Sequence, residues 1–188
     1  MKTNKLSKYF DIKMMCINGM IAALYAVITI ACGSLSYEWS QFRISELLNL
    51  LVFFNPSYTI GLTLGCLLAN LASTVGPLDL IFGTLTTLVS CLIMIVYSRF
   101  VKNLFSAGLI PCFANAIVIP LVIYYSCIAT PDEFALNPVS YFTMFGGVFL
   151  GEFVCIICVG YPLIMVLSKK NQSFYKSILA TRNTDFKW

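Results

Sequence analysis

The chain contains no histidine and few charged residues of either sign. Its 188 residues include 12 lysines and arginines and 8 aspartates and glutamates, and charged residues make up 11% of the sequence. A soluble domain carries roughly twice that share. Without histidine, the chain lacks the commonest zinc ligand and the usual general base near neutral pH. These absences count against most hydrolases and metalloenzymes, and we expect neither a metal site nor a cofactor.

What the sequence has in excess is apolar residues, at 59% of the chain with a mean hydropathy of +0.86. They form long runs separated by short polar segments, and runs of that length must face lipid. The sequence therefore predicts an all-α integral membrane protein. Because several apolar runs follow the first, a cleaved signal peptide would explain only one of them, and we expect the N-terminus to be retained.

Six apolar runs are predicted to form a bundle of six transmembrane helices. Their bounds are 14–34, 45–54, 56–74, 78–98, 104–128 and 141–167. The second run is too short for a full span, so we expect that helix to be short, tilted or partly re-entrant. Pro111 and Pro120 are candidate kinks in the fifth helix. The membrane domain thus covers 14–167, between an N-terminal segment 1–13 and a tail 168–188.

The distribution of basic residues predicts the orientation. With alternating spans, every lysine and arginine except Arg43 falls on one side of the membrane. Lysine and arginine near span ends are concentrated on the cytoplasmic side, so both termini are predicted to be cytoplasmic. The net charge of +4 then reflects attraction to anionic lipid and not nucleic-acid binding.

Glu152 lies well inside the sixth apolar run. An ionisable side chain in a span costs about 2.5 to 3.5 kcal/mol on insertion scales, so it needs a partner or a polar surrounding. We interpret Glu152 as a carboxylate that faces a ligand. The alternatives are a structural carboxyl group bonded to another helix, and exposure to lipid.

Arg43, Glu46 and Asp79 are further charged residues near the outer ends of predicted spans. Arg43 and Glu46 are three residues apart, so on a helix they share a face and either neutralise each other or form the mouth and floor of a site. Asp79 begins a helix, where the helix dipole favours an acid without any ligand.

The polar groups of the outer half are mostly hydrogen-bond acceptors. Such a set suits a ligand rich in N–H donors, including a cationic one. Aromatic residues of the same half either stack on a planar ligand or line the membrane interface. The acceptor set is Glu46, Asn70, Asp79, Asn115 and Glu152, and the aromatic set is Tyr37, Trp39, Phe42, Phe82 and Tyr141.

Small residues repeat every four positions on two predicted helices. Ala22 and Ala26 lie on the first, and Gly61, Gly65 and Ala69 lie on the third. Such stripes allow close approach of another helix, either within the bundle or from a partner protein. The sequence has no Walker-type phosphate loop, so energy from ATP would have to come from another chain.

Several ordered motifs of this sequence resemble the QueT family. They are Phe42-Arg43-Ile44-Ser45-Glu46, Phe53-Phe54-Asn55-Pro56, Gly65-Cys66-Leu67-Leu68-Ala69-Asn70, Leu78-Asp79-Leu80-Ile81-Phe82-Gly83-Thr84-Leu85 and Gly151-Glu152. Members of that family are membrane-embedded substrate-binding (S) components of energy-coupling factor transporters and are taken to import queuosine precursors. The resemblance covers roughly Met14 to Leu167.

The resemblance implies a six-helix bundle in the plasma membrane of a bacterium, with an outward-facing site for a 7-deazaguanine such as 7-aminomethyl-7-deazaguanine or queuine. It implies as partners a transmembrane coupling subunit and two ATP-binding subunits, with Ala22 and Ala26 docking on the coupling subunit. The ligand residues that it implies, with Asn115 added for its chemistry, are Arg43, Glu46, Asn70, Asp79, Asn115 and Glu152.

Two other functions remain open at this point. A small membrane enzyme, such as an intramembrane hydrolase or transferase, would have to use buried carboxylates, because no histidine-paired nucleophile is present. A channel or secondary carrier would be expected to contain internal repeats, and we see none.

Overall fold

The computed structural model describes residues 12–33, 42–73, 76–128 and 138–170, and these form six helices. They are α1 (Ile12–Ala31), α2 (Ile44–Phe54), α3 (Tyr58–Asn70), α4 (Pro77–Phe100), α5 (Leu104–Ile128) and α6, which runs as Pro138–Phe153, a π-helical stretch Val154–Gly160, and Tyr161–Lys170. The all-α prediction is confirmed. The predicted segments 1–13 and 168–188 lie largely outside the described residues.

Four of these helices, α1, α4, α5 and α6, are long and apolar enough to cross a membrane. They make the chain a multi-pass membrane protein. Helices α2 and α3 are shorter, so six full crossings stay a prediction. Pro111 and Pro120 lie inside α5, and the helix continues through both.

Helix α2 is short, as predicted, and occupies the middle of the bundle. Its first part, Ile44–Asn49, is a 3-10 helix, and all five residues of its second part, Leu50–Phe54, are buried. A helix that is apolar and buried on every side belongs to an interior. The first part packs between α1 and the π-helical stretch of α6, and the second part packs on α4 and α5. The other helices surround it in the order α1, α3, α4, α5, α6.

Contacts along α1 fix the directions of α2 and α3. Asn18 Oδ1 accepts from the Gly61 backbone N–H at 3.0 Å, and four residues further along each helix Ala22 meets Gly65, so α1 and α3 are parallel. Helix α2 is antiparallel to both. Its first residues contact the second half of α1, and the residue after its end, Asn55, approaches Met14 at 4.0 Å.

The remaining helices continue the alternation. Tyr97, near the end of α4, donates to Ser106, near the start of α5, at 2.8 Å. Phe105 contacts Tyr161 in the last part of α6 with ring centroids 6.1 Å apart. Ile12 and Lys170 therefore lie at the same end of the bundle, which we call the basic end because Lys13, Arg99 and Lys102 also lie there. Which side of the membrane it faces stays a prediction.

Charged side chains lie inside the bundle, and many large apolar side chains lie on its outside. Arg43, Glu46, Asp79 and Glu152 are all buried. Large apolar side chains instead cover the outside of the long helices. Since water does not favour such a surface and lipid does, the outer faces of these helices contact the bilayer. Representative exposed residues are Met20, Val27, Ile81, Leu92, Ile93, Val96, Leu121, Phe142 and Val166.

The alanine pair of α1 points into the bundle. Ala22 and Ala26 are buried, and a Cβ atom built on Gly65 would lie 2.9 Å from the backbone oxygen of Ala22 and 2.7 Å from Cβ of Tyr25. The small residues of both helices thus serve close packing between α1 and α3. Docking of this pair on a coupling subunit stays a prediction.

Substituting Gly65 by alanine is expected to destabilise the protein. The added Cβ meets backbone atoms of α1, which cannot rotate away, so the two helices must separate at a cost of about 1–3 kcal/mol. Gly146→Ala is the matched control, because nothing lies within 4 Å of a Cβ built at Gly146. Thermal unfolding of both variants in detergent tests this. Equal unfolding temperatures for the two would contradict the close packing described here.

Candidate ligand-binding site

Arg43 belongs to a buried polar cluster. It directly precedes the 3-10 segment of α2, and only 2% of its surface is exposed. Its Nη2 donates to Asn70 Oδ1 at 3.0 Å and lies 3.4 Å from Asp79 Oδ2. The ion pair of Arg43 is therefore with Asp79 and not with Glu46, the partner that sequence spacing suggested.

Asp79 is held by residues at the end of α3 and the start of α4. Ser73 Oγ donates to Asp79 Oδ2 at 2.5 Å, and Asn70 Nδ2 donates to the Asp79 backbone oxygen at 3.3 Å. Gly83, one turn further along α4, leaves room for this arrangement, because a Cβ there would lie 2.8 Å from Asn70 Nδ2. Asp79 thus does more than complement the helix dipole.

Glu46 is anchored by two residues that sequence reasoning missed. Tyr25 OH donates to Glu46 Oε1 at 2.5 Å, and Asn49 Nδ2 donates to Glu46 Oε2. In a 3-10 helix, residues three apart lie directly above one another, so Asn49 follows Glu46 on the same face. That spacing was a usable signal for Asn49. Tyr25 gave none, because its partner Glu46 lies 21 residues away in the sequence.

Glu152 and Asn115 complete the cluster from α6 and α5. Asn115 Nδ2 donates to Glu152 Oε1 at 2.8 Å. Arg43 interacts electrostatically with both Glu46 and Glu152. The six residues named from the sequence thus fall into three hydrogen-bonded groups, which we together call the cluster: Arg43 with Asn70 and Asp79, Glu46 with Tyr25 and Asn49, and Glu152 with Asn115.

Three acceptor atoms in this cluster have no hydrogen-bond donor within the described part of the chain. They are Asn49 Oδ1, Asp79 Oδ1 and Glu152 Oε2. Each residue is at least 99% buried. Leaving a buried acceptor unpaired costs about 1–3 kcal/mol, and more for a charged group. A ligand with several N–H donors would satisfy these atoms.

The cluster also contains more acids than bases. Glu46, Asp79 and Glu152 contribute three carboxyl groups, and Arg43 contributes one guanidinium group. A buried excess of negative charge is costly unless a cation neutralises it. The arrangement therefore favours a ligand that carries a positive charge as well as N–H donors.

Among the aromatic residues considered as a stacking surface, Phe42 directly precedes Arg43 of the cluster and is partly buried. Phe82 is exposed on the outer face of α4, and Tyr141 donates its hydroxyl to the Ile117 backbone oxygen at 3.2 Å. Tyr37 and Trp39 lie outside the described residues. For Phe82, the lipid-facing interpretation is the correct one.

The cluster lies at the end of the bundle opposite to the basic end. Its residues come from the second half of α1, the start of α2, the end of α3 and the start of α4. Asn115 and Glu152 add the middle of α5 and α6. If the basic end is cytoplasmic, the cluster faces the outside.

Comparison with known proteins identifies the family of this chain. Residues 15–169 match the family described as QueT transporter. The "Queuosine precursor transporter QueT" of Lactococcus lactis subsp. cremoris (strain MG1363) is 39% identical over 107 residues, which are 55% of this chain and 61% of that relative. The match thus spans less than two thirds of the relative's length, and no solved structure matches significantly. Since the family match covers most of the chain, the chain belongs to the QueT transporter family, a family of transporters and not of enzymes.

Proposed function

We propose that this protein is the substrate-binding S component of an energy-coupling factor importer and that it binds a queuosine precursor from outside the cell. The observation that carries the proposal is the buried cluster with three unpartnered acceptors and an excess of carboxyl groups. A transport protein needs such a site, because its ligand must leave water and replace every hydrogen bond that it loses.

A 7-deazaguanine matches the chemistry of this cluster. Its pyrimidine edge carries N–H donors as guanine does, and it lacks the N7 acceptor of guanine. In 7-aminomethyl-7-deazaguanine an ammonium group is added, which would offset the excess of negative charge. The name of the Lactococcus relative, a queuosine precursor transporter, supports the same ligand class.

The test is calorimetric titration of the purified protein in detergent. We expect tight binding of 7-aminomethyl-7-deazaguanine and weaker binding of 7-cyano-7-deazaguanine, which has no ammonium group, and of guanine. Queuine, which also carries an amine, is expected to bind better than the cyano compound. Absence of binding by all four would contradict the proposed ligand class. Stronger binding of the cyano compound would contradict the role assigned to charge.

Energy for import would come from partner chains. The sequence has no phosphate-binding loop, and the family resemblance implies a coupling subunit with two ATP-binding subunits, with delivery by toppling of the S component in the membrane. We expect ATP-dependent uptake in liposomes only when these subunits are present. Uptake by the isolated chain would instead indicate a channel or a secondary carrier.

A further inference from the structure

Asn49 is the one member of the three unpartnered acceptors that is neutral. It stands where the 3-10 segment of α2 passes into the α-helical segment, and its side chain is fully buried. Its amide nitrogen is used to hold Glu46 Oε2, which fixes the direction in which the amide oxygen points. Because that oxygen has no donor among the described residues, Asn49 is only half satisfied within the protein.

The other two unpartnered acceptors, on Asp79 and Glu152, belong to carboxyl groups. Charge-assisted hydrogen bonds are roughly twice as strong as neutral ones, so a cationic group of a ligand binds best at a carboxylate. A neutral N–H donor of the same ligand is then left for the neutral amide oxygen. In an aminopyrimidinone ring the exocyclic amine is such a donor.

We propose that Asn49 is a specificity residue that contacts the ligand, with its Oδ1 accepting a hydrogen bond from the exocyclic amine of the pyrimidine ring. Tyr25 acts as a positioning residue, because its hydroxyl holds the other oxygen of Glu46, the group to which Asn49 is bonded. This assignment rests on the proposed function. Beyond that function, the assignment predicts that the site prefers a ring with the 2-amino group to the same ring without it.

The experiment compares two ligands in three proteins. The ligands are 7-aminomethyl-7-deazaguanine and its analogue without the exocyclic amine, and the proteins are the wild type, Asn49→Leu and Tyr25→Phe. In the wild type we expect the amine to improve affinity about 10-fold or more, the usual effect of one buried neutral hydrogen bond. In Asn49→Leu this ratio is expected to fall close to one, because the acceptor is gone.

Tyr25→Phe separates contact from positioning. This substitution removes one hydrogen bond of Glu46 but keeps the oxygen of Asn49. The affinities for both ligands should therefore fall by a similar factor, and the ratio of the two affinities should stay near the wild-type value. If Asn49 acted only through Glu46, Asn49→Leu would behave in the same way as Tyr25→Phe. A wild-type ratio retained in Asn49→Leu would therefore overturn the proposal.

The failure of this assignment differs from the failure of the proposed function. If the wild type binds neither ligand, the proposed function fails and this assignment fails with it. If the wild type binds both ligands equally, only the role of Asn49 is overturned. Thermal unfolding in detergent shows whether each variant is folded, and Asn49→Ala, which removes the same oxygen with less bulk, replaces Asn49→Leu in the same comparison if the leucine does not fit.

Discussion

Replacing Glu152 by glutamine is expected to reduce affinity for 7-aminomethyl-7-deazaguanine by about 100-fold or more, since a lost hydrogen bond to a charged group and a new donor facing the ligand both act against binding. Asn115 can still donate to the oxygen of the glutamine side chain, as it now donates to Glu152 Oε1. The new amide nitrogen then takes the place of Oε2, the unpartnered acceptor. The measurement is calorimetric titration of the purified variant.

The same substitution should leave the protein folded. A glutamine has nearly the same size and shape as a glutamate, so the packing around position 152 is kept. Thr59→Val is the matched control, because Thr59 Oγ1 is also a buried oxygen without a partner among the described residues, but it lies at the start of α3, toward the basic end. Its affinity should equal that of the wild type. Wild-type affinity in Glu152→Gln would remove Glu152 from the site.

Breaking the ion pair between Arg43 and Asp79 is expected to cause the largest loss of stability. Arg43→Met leaves the Asp79 carboxylate buried without its cation, and breaking such a pair costs about 3–5 kcal/mol. The double variant Arg43→Met, Asp79→Asn removes both charges. Removing one partner leaves an unpaired buried charge, whereas removing both leaves none. The double variant should therefore be more stable than Arg43→Met alone.

Thermal unfolding of Arg43→Met, Asp79→Asn and the double variant in detergent measures this coupling. Arg99→Gln is the control, since Arg99 is exposed in the last turn of α4, where a cation is worth only about 0.3–1 kcal/mol. If the two single substitutions add up in the double variant, Arg43 and Asp79 are not coupled in the way that their 3.4 Å separation implies.

The fold could be predicted to a considerable extent from the sequence. Helices α4 and α5 begin and end within two residues of their predicted bounds, and α2 is as short as its apolar run. Gly76 and Pro77 mark the start of α4, and the other ends fall where an apolar run gives way to polar residues. The predicted third helix, 56–74, was too long. Residues 56–57 and 71–72 form turns in the structure.

For the candidate site, the sequence indicated which charged residues need polar partners but not which partners they have. Residues such as Glu152 stand out because a charged side chain in an apolar run is costly wherever the helix lies. Their partners did not stand out. Arg43 bonds to Asp79, 36 residues away, and Tyr25 bonds to Glu46, 21 residues away, and no local pattern encodes such distances.

By itself, the sequence determined that this is a helical membrane protein and that the charged residues inside its apolar runs need polar partners, because the cost of placing charge in lipid depends only on residue type and position in an apolar run. Only the tertiary structure decided which face of each helix points inward. In a helix that is apolar all round, periodicity does not distinguish the lipid side from the packed side. The sequence therefore did not show that Ala22 lies against Gly65 of α3 or that Asn49 is bonded to Glu46.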